Sequence, residues 1–333
     1  MIRSAAKKIS QKLKLEKIVQ THRIVEINQN HLNHLIERVA ATERNSNKAQ
    51  DSIRLALGRN ELRLLTLMDV NDINFNEFQV FSQWGEDGII QFLLRKMPST
   101  PKRFIEFGVE DYVESNTRFL LINNNWSGLV FDGSKENINK ITNSDLYWRH
   151  DLTAKKAFIT RENINDLIKE SGFSGEIGIL SIDIDGNDYW VWDAINNVDA
   201  AIVVIEYNHR FGPTELKTVP YDPKFERSTA HYSMLYAGAS VALLAKLADK
   251  KGYDLVGTGS NGNNAFFVKK SLRPNELKKK TPQEAYHQGK FREARNKKGL
   301  LSYISLDEEL KLLEHLPTIN PLNSSLRKKG NKL

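Results

Sequence analysis

The sequence contains no cysteine, and neither glycine nor proline occurs before Gly58. The first absence excludes disulfides, thiolate metal sites and cysteine nucleophiles, and is compatible with a reducing compartment without requiring one. The second favours helix at the start of the chain, because the two residues that most oppose helix are missing there. Also absent are an apolar run of the roughly 18 residues that a membrane-crossing helix needs and a hydrophobic signal stretch. A soluble, cytoplasmic protein is the expectation. The 333 residues, 40% apolar and 27% charged, suffice for one substantial globular domain with appendages.

The net charge of +7 is unevenly spread. Residues 1–70 carry 13 Lys/Arg against 7 Asp/Glu, residues 269–333 carry 16 against 7, and residues 71–268 carry 19 against 27. An acidic centre therefore lies between basic ends. Terminal charge runs are mostly solvated faces. The stretch Ile2–Leu15, with five basic residues and no acid, also suits peripheral contact with the inner face of a membrane. Nucleic acid is a poor partner, since the centre is acidic and lacks interleaved aromatic and basic residues.

Three regions follow. Residues 1–70 read as a helical arm in which Ile18, Val25, Leu32 and Val39 recur every seven residues beside Leu35 and Ile36. This is a short coiled-coil seam that suits homo-oligomer formation, although Thr21, His22 and Asn28 interrupt it. Residues 71–270 alternate apolar runs with helical patterns, as a layered α/β domain does. Strands are expected near 103–108, 128–132, 145–149, 178–184, 200–206, 253–257 and 265–269. Helices are expected near 113–123, 135–142, 161–171, 188–196 and 237–251, the last ended by Gly252. Residues 271–333 read as a basic extension with a helix near 306–316 and a disordered Ser, Asn and Lys tail.

Acids stand where these strands end: Glu106 in Phe104-Ile105-Glu106-Phe107-Gly108, Asp132 in Val130-Phe131-Asp132-Gly133, and Asp183 and Asp185 in Ile182-Asp183-Ile184-Asp185-Gly186. Ligands of open α/β sheets bind at the carboxyl ends of strands. The turn Gly108-Val109-Glu110-Asp111 has one glycine and is acidic, so it repels the diphosphate that a glycine-rich turn would cradle. It suits a cationic, phosphate-free ligand, and S-adenosylmethionine carries a sulfonium and an ammonium. Asp132 stands where an acid accepts hydrogen bonds from ribose hydroxyls, and Asp151, after the third apolar run, stands where one could reach the adenine amino group.

The chain here resembles the FkbM-type methyltransferases. Ser82-Gln83-Trp84-Gly85-Glu86-Asp87 matches that family's serine-glutamine-x-glycine-glutamate-aspartate element, followed by Glu106-Phe107-Gly108, Ser115-Asn116-Thr117, Trp126-Ser127-Gly128, Ile182-Asp183-Ile184-Asp185-Gly186 and Val204-Ile205-Glu206. The likeness covers about residues 80–270. It implies a Rossmann-like methyltransferase fold, with a mostly parallel seven-stranded sheet and helices on both faces. It also implies transfer of a methyl group from S-adenosylmethionine to a hydroxyl of a saccharide, glycolipid or related metabolite, and cofactor contacts at Gln83, Glu86, Asp87, Glu106, Gly108, Asn116, Asp132 and Asp151. Three residues depart from the family pattern: Ser181 where lysine is common, Asp185 for glutamate and Val109 for alanine.

Methyl transfer to oxygen needs alignment and a base for the hydroxyl proton. Asp183 and Asp185 share one face if the strand extends that far, and either serves as base with help from Glu206 or His209. The same acids with Asn208 offer an oxygen set suited to Mg²⁺, but spacing alone does not establish a metal and none is assigned. The competing readings are a non-catalytic, fold-retaining scaffold protein, favoured by Ser181, and a nucleic-acid methyltransferase.

Overall fold

The computed structural model describes the backbone of residues 2–323, with side chains described for most residues from Gln20 onward. The side chains of Ile2–Leu15, Ile18 and Val25 and the tail beyond Asn323 lie outside the described residues. Two compact units divide the chain, Met1–Leu57 and Gly58–Leu333.

The first unit is helix. It belongs to α1 (Ile2–Met68), and its Leu32, Leu35, Ile36 and Val39 are more than half exposed. No helix among the described residues is long and apolar enough to cross a membrane.

The second unit opens on the last turns of α1, where Leu65 is buried and a Cβ on Gly58 would lie 2.3 Å from Val80. There follow α2 (Glu86–Lys96), β1 (Arg103–Phe107), α3 (Arg118–Asn124), β2 (Ser127–Asp132), α4 (Lys135–Thr142), α5 (Asp145–Arg149), β3 (Leu152–Lys156) and α6 (Ile164–Glu170). Next come β4 (Gly175–Ile182), α7 (Asp188–Ala194), β5 (Val198–Glu206), a 3-10 turn (His209–Phe211) and α8 (Arg227–Ala230). The unit continues with α9 (Val241–Lys251), β6 (Tyr253–Thr258), β7 (Asn264–Lys269), α10 (Pro282–Ala285) and α11 (Leu306–Leu313).

The seven strands form one sheet in the order β3-β2-β1-β4-β5-β7-β6. Pairings from β3 through β5 are parallel, and β7 runs antiparallel between β5 and β6. This is the expected mostly parallel, Rossmann-like seven-stranded sheet, with helices on both faces. Because side chains alternate across a strand, Ile105, Phe107, Leu129 and Val203 pack on one face with α6, α7 and α9. Phe104, Val130, Ile179 and Ile202 pack on the other with α2, α3 and α4. Burial on both faces explains the unbroken apolar runs of β1, β4 and β5.

Gly128 permits close contact inside the second layer, since a Cβ there would lie 2.1 Å from the Phe104 ring. α9 begins at Ser240, whose hydroxyl accepts the Leu243 N–H, and ends at Gly252 with φ +86°. It thus carries both an N-cap and a left-handed C-terminal residue.

Two expectations need correction. The run 145–149 is not a strand but α5, and the third strand is Leu152–Lys156. An edge strand paired only to β2 keeps polar side chains, so Leu152-Thr-Ala-Lys-Lys156 lacks an apolar signal. β4 ends at Ile182, so Asp183 and Asp185 belong to the following loop and do not share a strand face.

Residues 213–240 and 290–319 build a small separate core from Val219, Leu235, Tyr236, Ala294 and Leu313. Thr218 and Ile319 exchange backbone hydrogen bonds of 2.9 and 3.0 Å across it. The chain beyond Lys270 thereby contributes a wall to the α/β unit.

Candidate active site

A cavity of about 850 Å³ opens at the carboxyl ends of β1, β2, β4 and β5. The parallel register places Glu106, Asp132, Asp183 and Glu206 on its lining. Gly108 brings two strand-end loops together. Its φ is +73°, and a Cβ would lie 1.7 Å from the Asp183 carbonyl oxygen, leaving no room for a side chain.

Glu106 is buried, and its carboxylate is ringed by donors. Oε2 accepts the Ser115 hydroxyl at 2.6 Å, the Thr117 hydroxyl at 2.5 Å and the Thr117 N–H at 3.2 Å, while Oε1 accepts the Asn116 N–H at 2.9 Å. Burial raises its pKa despite these donors. Ser181 joins the same group, its hydroxyl donating to Glu106 at 3.4 Å and accepting from the Asn116 amide at 3.1 Å. Position 181 therefore faces the Ser115–Thr117 turn, and serine there leaves the acids beyond β4 in place.

Asp132 holds the next loop. Its Oδ2 accepts the Glu110 N–H at 2.9 Å, and its Oδ1 accepts the Ser134 N–H at 2.7 Å and the Asn137 amide at 3.1 Å. Asn116 and Gln83 also line the cavity. Glu86 and Asp87 do not. Glu86 accepts the amides of Asn263 and Asn264, both at 3.0 Å, and the Trp84 N–H at 2.9 Å. Asp87 accepts the N–H groups of Val80, Phe81 and Ser82 at 2.7–2.8 Å. The two acids fold the Ser82–Asp87 loop into the start of α2, so their part is architectural, and Gln83 and Trp84 are what that loop adds to the lining.

Asp151 is not brought to the site. It stands at the entry of β3, the opposite end from the cavity, and accepts the Ser127 hydroxyl at 2.5 Å. Its expected place rested on a strand at 145–149. His209 also lies outside the lining. It is buried against Gly289 and Phe291, with both ring nitrogens unpartnered among the described residues. Burial pulls its pKa down to about 3, which keeps it neutral and makes it a poor proton acceptor.

Beyond β4, Asp183, Asp188 and Glu206 each bring a carboxylate oxygen within 4.8 Å of the others. Asp188 is committed to the loop, because Oδ1 accepts the Ile184 N–H and Oδ2 the Gly186 N–H, both at 2.9 Å. Asn208 is turned away, donating to the carbonyls of Leu235 and Ala237. An oxygen-seeking cation would thus meet Asp183 and Glu206 with room to bind, but neither a free Asp188 nor Asn208, and the donor set fits Mg²⁺ only in part. Burial drives Asp183 well above the usual carboxylate range, reinforced by Asp185 and Asp188. Glu206 is raised likewise, by burial and then by Asp183, with Arg227 acting in opposition.

Arg227 was not identified from the sequence. One of its terminal nitrogens reaches Asp185 at 2.7 Å and Glu206 at 4.0 Å, and the other reaches Glu293 at 2.6 Å. Burial alone would lower its pKa, but Glu206, Glu293 and Asp185 outweigh it and hold the guanidinium charged. Glu293 also takes Arg210 at 3.0 Å, and Arg210 takes the buried Glu309 at 2.7 Å. This chain of ion pairs fixes the far wall, where Phe225, Met234, Phe291 and Leu301 supply apolar lining. Trp84 stacks on Phe291 with ring centroids 6.1 Å apart. These contacts join residues tens of positions apart without a motif, so no sequence signal marked them.

No family model matches the chain, and no curated protein matches it. Solved structures resemble it weakly. The N-terminal domain of EvdMO1, in the presence of SAH and D-fucose, shares 10% identity over 58% of this chain and 88% of its own, with a TM-score of 0.35. An O-methyltransferase family protein from Burkholderia thailandensis shares 11% over 72% of this chain and 60% of its own, with a TM-score of 0.35. The O-methyltransferase from Bacillus cereus in complex with SAH shares 12% over 63% of this chain and 89% of its own, with a TM-score of 0.34. Likenesses of this size carry no argument about chemistry, which has to come from the residues of the site.

Proposed function

We propose that the chain is an S-adenosylmethionine-dependent methyltransferase acting on a hydroxyl of a saccharide, glycolipid or related metabolite. The observation that carries this reading is a strand-end cavity lined by Glu106, Glu110, Asp132, Asp183 and Glu206, with no glycine-rich phosphate turn. Carboxylates enclosed together are costly unless cations join them, and Arg227 on the same lining reaches Glu206 only at 4.0 Å and pairs with neither Asp132 nor Asp183 among the described residues. S-adenosylmethionine meets that need, and when bound it supplies an electrophilic methyl group on sulfur.

In this reading Asp132 holds the ribose through Oδ2, which accepts only the Glu110 N–H and keeps lone-pair capacity, whereas Oδ1 is taken by Ser134 and Asn137. Glu106, its oxygens already occupied, acts by fixing Asn116 and the surrounding turn. Asp183 or Glu206 takes the hydroxyl proton, because both carboxylates line the cavity and burial raises their basicity. Asp185, paired to Arg227, anchors the loop. The acidic interior speaks against a nucleic-acid substrate.

Calorimetric titration with S-adenosylmethionine and S-adenosylhomocysteine tests the reading. Both should bind, and Asp132→Asn should weaken them. Asp183→Asn with Glu206→Gln should leave S-adenosylhomocysteine affinity within about twofold while turnover falls about a hundredfold or more. A folded protein that binds neither ligand would overturn the proposal. Binding without turnover on any hydroxyl acceptor would favour the non-catalytic reading.

A further inference from the structure

The wall opposite the strand ends has a charge pattern of its own. Residues 290–298, Lys-Phe-Arg-Glu-Ala-Arg-Asn-Lys-Lys, hold five basic residues and one acid. That acid, Glu293, is turned inward and shared by Arg210 and Arg227. Lys290, Arg292, Arg295, Lys297 and Lys298 are left exposed. Arg292 and Arg295 line the cavity itself. Arg295 spends one nitrogen on the Gly299 carbonyl, and Arg292 pairs with no carboxylate among the described residues. Arg292 and Arg295 thus make their side of the cavity basic, with the exposed Glu110 and Glu114 elsewhere on the lining, while at the floor Asp183, Asp185 and Glu206 outnumber Arg227.

We infer that the acceptor carries an anionic group, a phosphate or a carboxylate, bound by Arg292 on this basic side while its reactive hydroxyl points down to the acids. The inference rests on the methyltransferase reading and deepens it. A wholly neutral acceptor would leave that side's charge unused. At the floor Arg227 is already shared by Asp185, Glu206 and Glu293, so an anion there meets excess negative charge, and the Arg292 side is the better place for it. Guanidinium suits either oxyanion through paired N–H donors. The stacked Trp84 and Phe291, both on the lining, offer an aromatic edge against which a ring can lie.

The test uses the full chain saturated with S-adenosylhomocysteine, titrated with methyl glucoside, glucose 6-phosphate and glucuronate. At low salt the anionic sugars should bind about tenfold more tightly than the neutral one, as hydrogen bonds to a charged group allow. The advantage should shrink as salt screens the exposed arginine. Arg292→Met should remove most of it and Arg292→Glu all of it, with S-adenosylhomocysteine affinity unchanged. Whether phosphate or carboxylate gains more identifies the anion. Equal binding of neutral and anionic sugars, indifference to Arg292→Glu, or no sugar binding by protein that holds S-adenosylhomocysteine would each overturn the inference. Loss of S-adenosylhomocysteine binding itself would instead count against the methyltransferase reading.

Discussion

Asp87 concentrates the residue-scale physics of this protein. One of its oxygens accepts three backbone N–H groups and the Ser82 hydroxyl, while the other is buried without a partner among the described residues. Burial outweighs those bonds and pushes its pKa from 3.8 up to about 6. A folded-state pKa above the unfolded one means that the folded protein holds the proton more tightly. The resulting stability is fully present below about pH 4 and is lost as pH rises through about 6. Asp87→Asn cannot titrate there. The stability of the native protein relative to this variant should therefore fall by about 3 kcal/mol between pH 4 and pH 7 and stay level above that. Urea unfolding at a series of pH values measures it, and a level difference throughout would show that burial does not perturb this carboxyl.

Glycine carries the element-scale argument. At Gly108 the backbone of one strand-end loop occupies space that a methyl group would need, and φ is also positive. Gly108→Ala should cost several kcal/mol, about 3 or more, through strain and displaced backbone. It should abolish S-adenosylhomocysteine binding even under conditions where the chain remains folded. Thermal unfolding and calorimetry together check this.

The elements differed in how far they could be read from residues. β1, β2, β4 and β5 announce themselves because burial on both faces demands continuous apolar residues. β3 does not, since only Leu152 of its residues is buried, whereas the more apolar Leu146-Tyr147-Trp148 forms the short helix α5. That exchange of strand and helix displaced Asp151 from its expected role. Glu106, Asp132, Asp183 and Glu206 were legible because a strand end in a parallel sheet is a place as well as a residue. Arg227 and Glu293 were not, because a salt bridge between distant segments leaves no trace in local spacing.

Over the whole α/β unit, the chain after β7 works as part of the site. Its hold on the sheet passes through Arg210, whose side chain is 3% exposed, and Glu309, 6% exposed. Stranding a buried charge costs about 3–5 kcal/mol, and removing Glu309 leaves the buried Arg210 with Glu293 alone, so the loss falls toward the low end of that range. Glu309→Ala should therefore lower unfolding stability by that order. It should also weaken acceptor binding more than cofactor binding, since the wall it releases carries Phe291 and Arg292 while Asp132 lies on the sheet. Equal losses for both ligands would show that the wall and the sheet respond as one body.

The contact between Trp84 and Phe291 has an optical consequence. The indole sits on the lining of the cavity, whereas Trp126 and Trp192 are buried in the core and Trp148 is largely exposed. With the other four tryptophans replaced by phenylalanine, emission from Trp84 would report directly on the filling of the cavity. Binding could then be followed by fluorescence without a label and before any substrate is known.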